Sequence, residues 1–174
     1  HKFSPLSLRS SFVSSLDIEA RSYLTNIGAL SSDKPITSEW GYLFPVLLIS
    51  KIQFIKKGTN KNFIILDAGM NDFMRPALYE AFHKIIPISK KSSRMRGKIE
   101  FVGPICESTC KFGVYKKYQK ISEKDYIAIT NVGAYGSSLS SNYNTRPLIA
   151  EILINKNKFR YIRRKQNLLK LINS

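Results

Sequence analysis

Val46-Leu-Leu-Ile-Ser-Lys-Ile-Gln-Phe-Ile55 is a long, largely branched apolar run that stops at Lys56, Lys57 and Gly58. Branched residues pack well on a pleated surface and lose rotamer freedom in a helix, so this stretch reads as a strand and opens a β-rich region. Working outward, Phe63 to Leu66 is a short continuous apolar run of the kind buried on both faces of a sheet. Lys98 to Val102 alternates, with Ile99 and Phe101 on one side, and Tyr126 to Thr130 is similar. Ile149 to Ile154 and Phe159 to Ile162 flank Asn155-Lys-Asn-Lys158, which reads as a hairpin turn. Two helical pieces interrupt the strands. Pro76 suits the first turn of a helix over Ala77 to His83, and Gln166 to Ile172 offers Leu168, Leu169, Leu171 and Ile172 for a terminal packing helix. No internal repeat is visible. The expected fold is mostly β, a β-sandwich or Greek-key barrel-like domain with two short helices.

Length and charge narrow the function. The 174 residues fit one domain, and 43% apolar composition suffices for a core. They exclude a complete (β/α)₈ barrel, which takes ~250 residues. Against 12 Asp+Glu stand 28 Lys+Arg, a formal charge of +16. The basic residues are spread along the chain in pairs such as Lys56-Lys57, Lys90-Lys91, Lys116-Lys117 and Arg163-Arg164. No nucleic-acid-binding motif accompanies them, so a solvated basic surface is preferred over nucleic-acid binding. The apolar stretch from Tyr42 to Ile49 is broken by Pro45 and falls short of the ~20 residues a membrane span needs. Cys106 and Cys110 are too few for a disulfide scaffold or a zinc set, and no metal is expected.

The N-terminal part differs from the rest. Ser4 to Ser15 is serine-rich and lacks the unbroken apolar core of a secretory signal. Residues 16 to 30 have helical spacing at Leu16, Ala20, Tyr23, Leu24 and Ile27, and Asp33 with Pro35 reads as a turn or linker. His1 in place of Met gives the expectation that the sequence begins downstream of the native start.

Three later segments carry chemistry. Gly103-Pro-Ile-Cys-Glu-Ser108 leaves a strand directly. A thiol beside a carboxylate serves as an acid/base pair or a substrate clamp, whereas a lone Cys is more often a small buried hydrophobe. In Asp67-Ala-Gly-Met-Asn-Asp-Phe-Met-Arg-Pro-Ala-Leu-Tyr79, Arg75 and Tyr79 share one helix face and can grip one carboxylate. The plainer reading is a solvated Arg beside a packed Tyr. His83, four residues on, reads as a packing or capping residue. Asn131-Val-Gly-Ala-Tyr-Gly136, continued by Ser137 to Asn144 and Arg146-Pro147, reads either as a loop presenting Tyr135 to a ligand or as an ordinary Gly-rich turn.

In order along one chain, DAGMNDFMRPALYEAFH (67–83), VGPICES (102–108) and NVGAYGSSLSSNYNTRP (131–147) closely resemble the C-terminal half of the diaminopimelate decarboxylases. These lysine-biosynthesis enzymes belong with the ornithine and arginine decarboxylases that use pyridoxal phosphate. The resemblance covers roughly residues 47 to 174. It implies a C-terminal β domain over 47–174, a remnant of the last barrel strand over 37–46, and an unaligned segment over 1–36. Carried over motif by motif, it implies Cys106 as the proton donor after carbon dioxide leaves, and Glu107 as the ligand of the distal amino group of meso-diaminopimelate. Arg75 and Tyr79 would hold a substrate carboxylate. Tyr135 would meet both substrate and cofactor phosphate, and Glu39 and Gly41 would lie on the cofactor side. The resemblance further implies a cytoplasmic lyase that works as a homodimer or with a barrel-domain partner.

The sequence departs from the family pattern in places. Glu39-Trp-Gly-Tyr42 stands where the family has E-P-G-R, and a Tyr cannot replace the bidentate Arg. Thr109-Cys110 stands where Gly-Asp is usual. None of the nineteen lysines sits in the context of the cofactor-bearing barrel lysine. The expectation is therefore a chain that supplies half of an active site and is inactive without a barrel. The alternative is a catalytically silent truncated remnant or dimerisation module.

Overall fold

The computed structural model describes residues 6–10, 37–38, 41–42, 46–88, 92–155 and 158–173. The strands are β1 (Leu6–Ser10), β2 (Thr37–Ser38), β3 (Gly41–Tyr42), β4 (Val46–Lys56), β5 (Lys61–Leu66), β6 (Ile85–Pro87), β7 (Lys98–Val102), β8 (Lys111–Tyr115), β9 (Tyr126–Ile129), β10 (Ala150–Asn155) and β11 (Lys158–Arg163). The helices are α1 (Arg75–Tyr79), α2 (Gly133–Ser138) and α3 (Leu168–Ile172), with a 3₁₀ turn at Tyr143–Thr145. The mostly β expectation holds.

The opening run, β4, organises the sheet. Its N-terminal half pairs on one side with β1, in parallel, and on the other with β9, antiparallel, through Leu48↔Ile129 to Lys51↔Tyr126. Its C-terminal half, after a register shift between Ile52 and Phe54, pairs with β5 instead. One strand thus belongs to two sheets. The first runs β11-β10-β1-β4-β9-β6 and curls; the second runs β4-β5-β7-β8. Such a bulge bends the strand and raises its twist, which lets the two sheets face each other. Between them lies one apolar cluster including Leu48, Ile52, Ile64, Leu66, Ile99, Phe101, Ile127 and Ile129. Burying an aliphatic or aromatic side chain of this size contributes roughly 1.5–3 kcal/mol each before chain entropy is offset.

Some elements differ from expectation. The first helix spans Arg75–Tyr79 rather than 77–83, because Glu80 adopts a left-handed conformation (φ 52°) and ends it. The stretch expected as a glycine-rich loop contains α2, entered through left-handed Asn131 and Gly133. The terminal helix forms with Asn167 capping the Leu169 amide at 2.9 Å. It leaves Leu169 and Ile172 exposed, so the expected packing is not seen among the described residues. The hairpin between β10 and β11 forms, with Asn155 paired to Lys158. The segment 16–30 read as helical lies outside the described residues.

Short β6 has two tyrosine partners. The Ile85 amide donates to the Tyr115 hydroxyl at 2.7 Å, and the Tyr118 hydroxyl donates to the Ile85 carbonyl at 3.2 Å. Tyr115, Tyr118 and Phe101 meet edge to face. Phenols thus satisfy backbone groups that would otherwise face an apolar interior.

Candidate functional site

The three motif segments leave different strands and meet on one surface. The first leaves the end of β5. Asp67 accepts from the Ser50 hydroxyl (2.6 Å) and the Lys51 amide (2.9 Å), which ties this end of β5 to β4. A tight turn follows, with the Gly69 amide donating to Asp72 Oδ2 at 2.8 Å. Asn71 and Asp72 are fully buried, and buried polar groups need partners.

Those partners come largely from the third segment. Arg146 donates from Nε to Asn71 Oδ1 (3.0 Å) and from an Nη to the Asp67 carbonyl (2.6 Å), and lies 3.7 Å from Asp72 Oδ2. The Ser141 amide donates to the Asn71 carbonyl at 2.9 Å. Gln166 Oε1 in turn accepts from Asn142 and from the Leu148 amide, holding the third segment from behind.

The second segment is a turn leaving β7. The Gly103 amide donates to the Cys110 carbonyl, and the Cys110 amide donates to the Glu107 carbonyl. A Cβ at Gly103 would lie 2.4 Å from Cys110 Sγ and 2.9 Å from the Ala68 carbonyl oxygen, so only glycine fits. The buried Cys110 sulfur also accepts from the Met70 amide at 3.3 Å, joining this turn to the first segment. The third segment reaches the second through Tyr143, whose hydroxyl donates to Glu107 Oε1 at 2.6 Å. That hydrogen bond, and then the carboxylate's charge, push the Tyr143 phenol above its ordinary pKa.

Of the residues singled out in the sequence, Cys106 and Glu107 are exposed on the second segment. Tyr79 ends α1 and Tyr135 sits on α2, both with their rings mostly exposed. Arg75 is half-buried at the start of α1, and its Nε is sealed from solvent with no hydrogen-bond partner. Gly41 pairs with Ser38 in the separate two-stranded β2–β3 piece. Glu39 lies outside the described residues. Sequence reasoning missed Asn71, Asp72, Tyr143 and Arg146 as individual participants. Their signal is a partner on another segment, which a single sequence does not display.

Exposed Cys106 thus stands in sequence beside Glu107, whose carboxylate is braced by the Tyr143 phenol. A thiol and a carboxylate are groups able to give a proton and to take a cationic partner. Residues 45–133 match the family model described as pyridoxal-dependent decarboxylase, C-terminal sheet domain.

The chain belongs to the pyridoxal-dependent decarboxylase family.

Its similarity to diaminopimelate decarboxylases within that family is broad. It is 40% identical to the enzyme of Aquifex aeolicus over 121 residues, 70% of this chain and 29% of that one. It is 42% identical to that of Haemophilus influenzae over 125 residues, 72% and 30% of the two chains. The crystal structure of the Helicobacter pylori diaminopimelate decarboxylase complexed with L-lysine superposes with a TM-score of 0.66 at 42% identity. It covers 73% of this chain and 31% of that one. The chain thus spans about 30% of the length of the decarboxylases it matches. Within the family match fall Arg75, Tyr79, Cys106 and Glu107; Tyr135, Tyr143 and Arg146 lie just beyond it. No helix among the described residues is long and apolar enough to cross a membrane.

Proposed function

We propose that this chain is the substrate-side, proton-donating part of a cytoplasmic diaminopimelate decarboxylase, forming L-lysine and carbon dioxide from meso-diaminopimelate. The observation that carries the reading is the Tyr143–Glu107 hydrogen bond next to exposed Cys106, on a surface where all three motif segments meet. In this reading residues 37–46 are the end of a barrel and 47–174 the C-terminal domain. A barrel domain, or a second copy of the chain beside it, completes the site.

The residues present fit the substrate side of pyridoxal phosphate: a thiol, a carboxylate, phenols, and a guanidinium with an unpaired buried Nε–H. When bound, that cofactor supplies the electron sink for the carbanion left as carbon dioxide departs. Cys106 Sγ–H delivers a proton to the α-carbon. Glu107, with one oxygen held by Tyr143, keeps the other for the distal ammonium, which separates a diamine substrate from a simple amino acid. Arg75 and Tyr79 bind a carboxylate from α1. In this reading Tyr135 would contact both substrate and cofactor phosphate, and Glu39 and Gly41 would serve the cofactor side.

The test is co-expression of the chain with the barrel domain of a homologous decarboxylase in a lysine auxotroph, followed by a lysine-release assay. Lysine formation is expected, with Cys106→Ala lowering kcat roughly 10²–10⁴-fold, the usual contribution of a positioned general acid. Activity that survives both Cys106→Ala and Glu107→Ala unchanged would overturn the assigned roles. A second reading, a silent dimerisation module, draws on exposed Leu78, Tyr79 and Phe82 around α1. It predicts a dimer by sedimentation and no lysine in the same assay.

A further inference from the structure

Asn71 is fully buried, and it grips the third motif segment at two places. Its carbonyl accepts from the Ser141 amide at 2.9 Å, and its Nδ2 lies 3.4 Å from the Ser141 carbonyl oxygen. Further along the segment, Arg146 Nε donates to Asn71 Oδ1 at 3.0 Å. Between those two grips the chain closes on itself. Asn142 Nδ2 donates to the Arg146 carbonyl at 2.8 Å, and the Arg146 amide donates to the Tyr143 carbonyl at 3.3 Å.

The turn closed in this way has a costly backbone. Asn144 (φ 55°, ψ 33°) and Thr145 (φ 56°) are both left-handed. Positive φ at both central residues is the type I′ pattern, which favours Asn followed by Gly. Asn144 suits its place, because its short polar side chain tolerates the left-handed region. Thr145 does not, since a β-branched side chain at positive φ is an outlier. Strain of this kind persists only where surrounding contacts over-determine the backbone, and it gathers at functional positions. The buried Asn71, holding both flanks, supplies the first condition. Tyr143, the first residue of the turn, supplies the second: its hydroxyl donates to Glu107 Oε1 at 2.6 Å, although both residues are exposed to competing water.

We propose that Asn71 is a positioning residue for Glu107: its hold on Ser141 and Arg146 keeps the Asn144–Thr145 turn left-handed, and that turn delivers the Tyr143 hydroxyl to the carboxylate. An exposed hydrogen bond between two mobile side chains contributes little, because the loss of freedom in both offsets it. Holding Tyr143 from behind removes that loss for one partner. Glu107 is then ordered before a cation arrives, and binding costs less freedom.

The functional meaning rests on the reading that Glu107 takes the distal ammonium of the substrate, but the hold can be measured without any reaction. In the full-length chain labelled with [¹³Cζ]tyrosine, the Tyr143 resonance is assigned by its loss in Tyr143→Phe. It should titrate above the ordinary phenol value of about 10, raised by the Glu107 hydrogen bond and charge. Asn71→Leu keeps the volume and removes the side-chain grips, so the Tyr143 titration should fall back to about 10. In a Glu107→Gln background Asn71→Leu should move it no further, since both changes act through one contact. Thr145→Pro imposes a negative φ and should likewise return Tyr143 to about 10, whereas Thr145→Gly admits the left-handed backbone and should leave the value raised. An ordinary Tyr143 titration in the unaltered chain, or a raised one that survives Asn71→Leu or Thr145→Pro, overturns the proposal. If Asn71→Leu fails to fold, Arg146→Met removes the same grip from its less buried side and is read in the same way. With a barrel partner, Thr145→Pro should raise KM about tenfold while kcat changes less, since a lost ammonium contact weakens ground and transition states alike. Absence of lysine formation with the Tyr143 titrations behaving as described refutes the decarboxylase reading and leaves the positioning of Glu107 standing.

Discussion

Replacing Arg146 by Ala should loosen two of the three motif segments at once, and the cost can be worked from its contacts. Two charged-donor hydrogen bonds disappear, to Asn71 Oδ1 at 3.0 Å and to the Asp67 carbonyl at 2.6 Å. Hydrogen bonds to charged groups contribute roughly 1.5–3 kcal/mol each. The Asp72 ion pair adds less, because it is long at 3.7 Å and the Arg146 side chain is 30% exposed. Asp72 also keeps its bonds from the Gly69 amide and Asn71 Nδ2. Taking the low end of each value gives a loss of about 3 kcal/mol for Arg146→Ala. Arg146→Lys keeps the charge but not the planar fork, and should lose about half of that. With an m-value of about 2 kcal/mol/M, urea denaturation should show the Ala midpoint falling by about 1.5 M with m unchanged. A fall of less than about 0.4 M would refute the view that Arg146 holds the segments together.

Other expectations follow from single contacts. Gly103→Ala forces a methyl against Cys110 Sγ and the Ala68 carbonyl and should destabilise the chain by about 1–3 kcal/mol; Cys110→Ala should relieve only part of it, and full rescue in the denaturation midpoint would count against the backbone contact. Glu107→Gln removes the charge beside the Tyr143 phenol, so the Tyr143 titration, read near 295 nm by difference from Tyr143→Phe, should move down; an unmoved titration argues against the hydrogen bond. Because folding lowers the His83 pKa from its ordinary 6.5, the unfolded chain takes up that proton first as pH falls. The stability tied to neutral His83 is complete above that value and drains away as pH drops below it. His83→Phe should flatten this acid slope in urea midpoints, and an identical slope in both proteins would speak against a buried neutral imidazole.

Much of the fold was legible because its strands carry strong local signals. Lys98–Val102 alternates and Val46–Lys56 is branched, and both form as read. β8 was not legible, since Lys-Phe-Gly-Val-Tyr has a glycine at its centre and buries only Phe112 fully, with Val114 exposed. β6 was hidden by its length and by Pro87, and it depends on tyrosine hydroxyls from elsewhere in the chain. α2 contradicts local propensity, because Gly133 and Gly136 disfavour a helix; Leu139 and Ser140 close it with bonds to the Tyr135 and Ser137 carbonyls. In the site, Cys106, Glu107, Arg75, Tyr79 and Tyr135 stood out through the order of their motifs. Arg146, Asn71 and Tyr143 matter through contacts across 36 to 75 residues of chain. No local pattern encodes such a pairing.

The place of β1 has a consequence for how the chain is made. Leu6 pairs with Ile154 and Ser10 with Ala150, while the same strand lies parallel to the start of β4. Residues from opposite ends of the sequence therefore close the larger sheet between them. At roughly 5–20 residues per second, a ribosome needs roughly 7–30 s to build the stretch separating Leu6 from Ile154. Through that interval the edge of β1 that faces away from β4 waits for β10, and pairing of such long range is intrinsically slow. Nascent chains would thus expose an unfinished sheet edge until β10 emerges, a window in which chaperone capture and edge-to-edge association compete with closure.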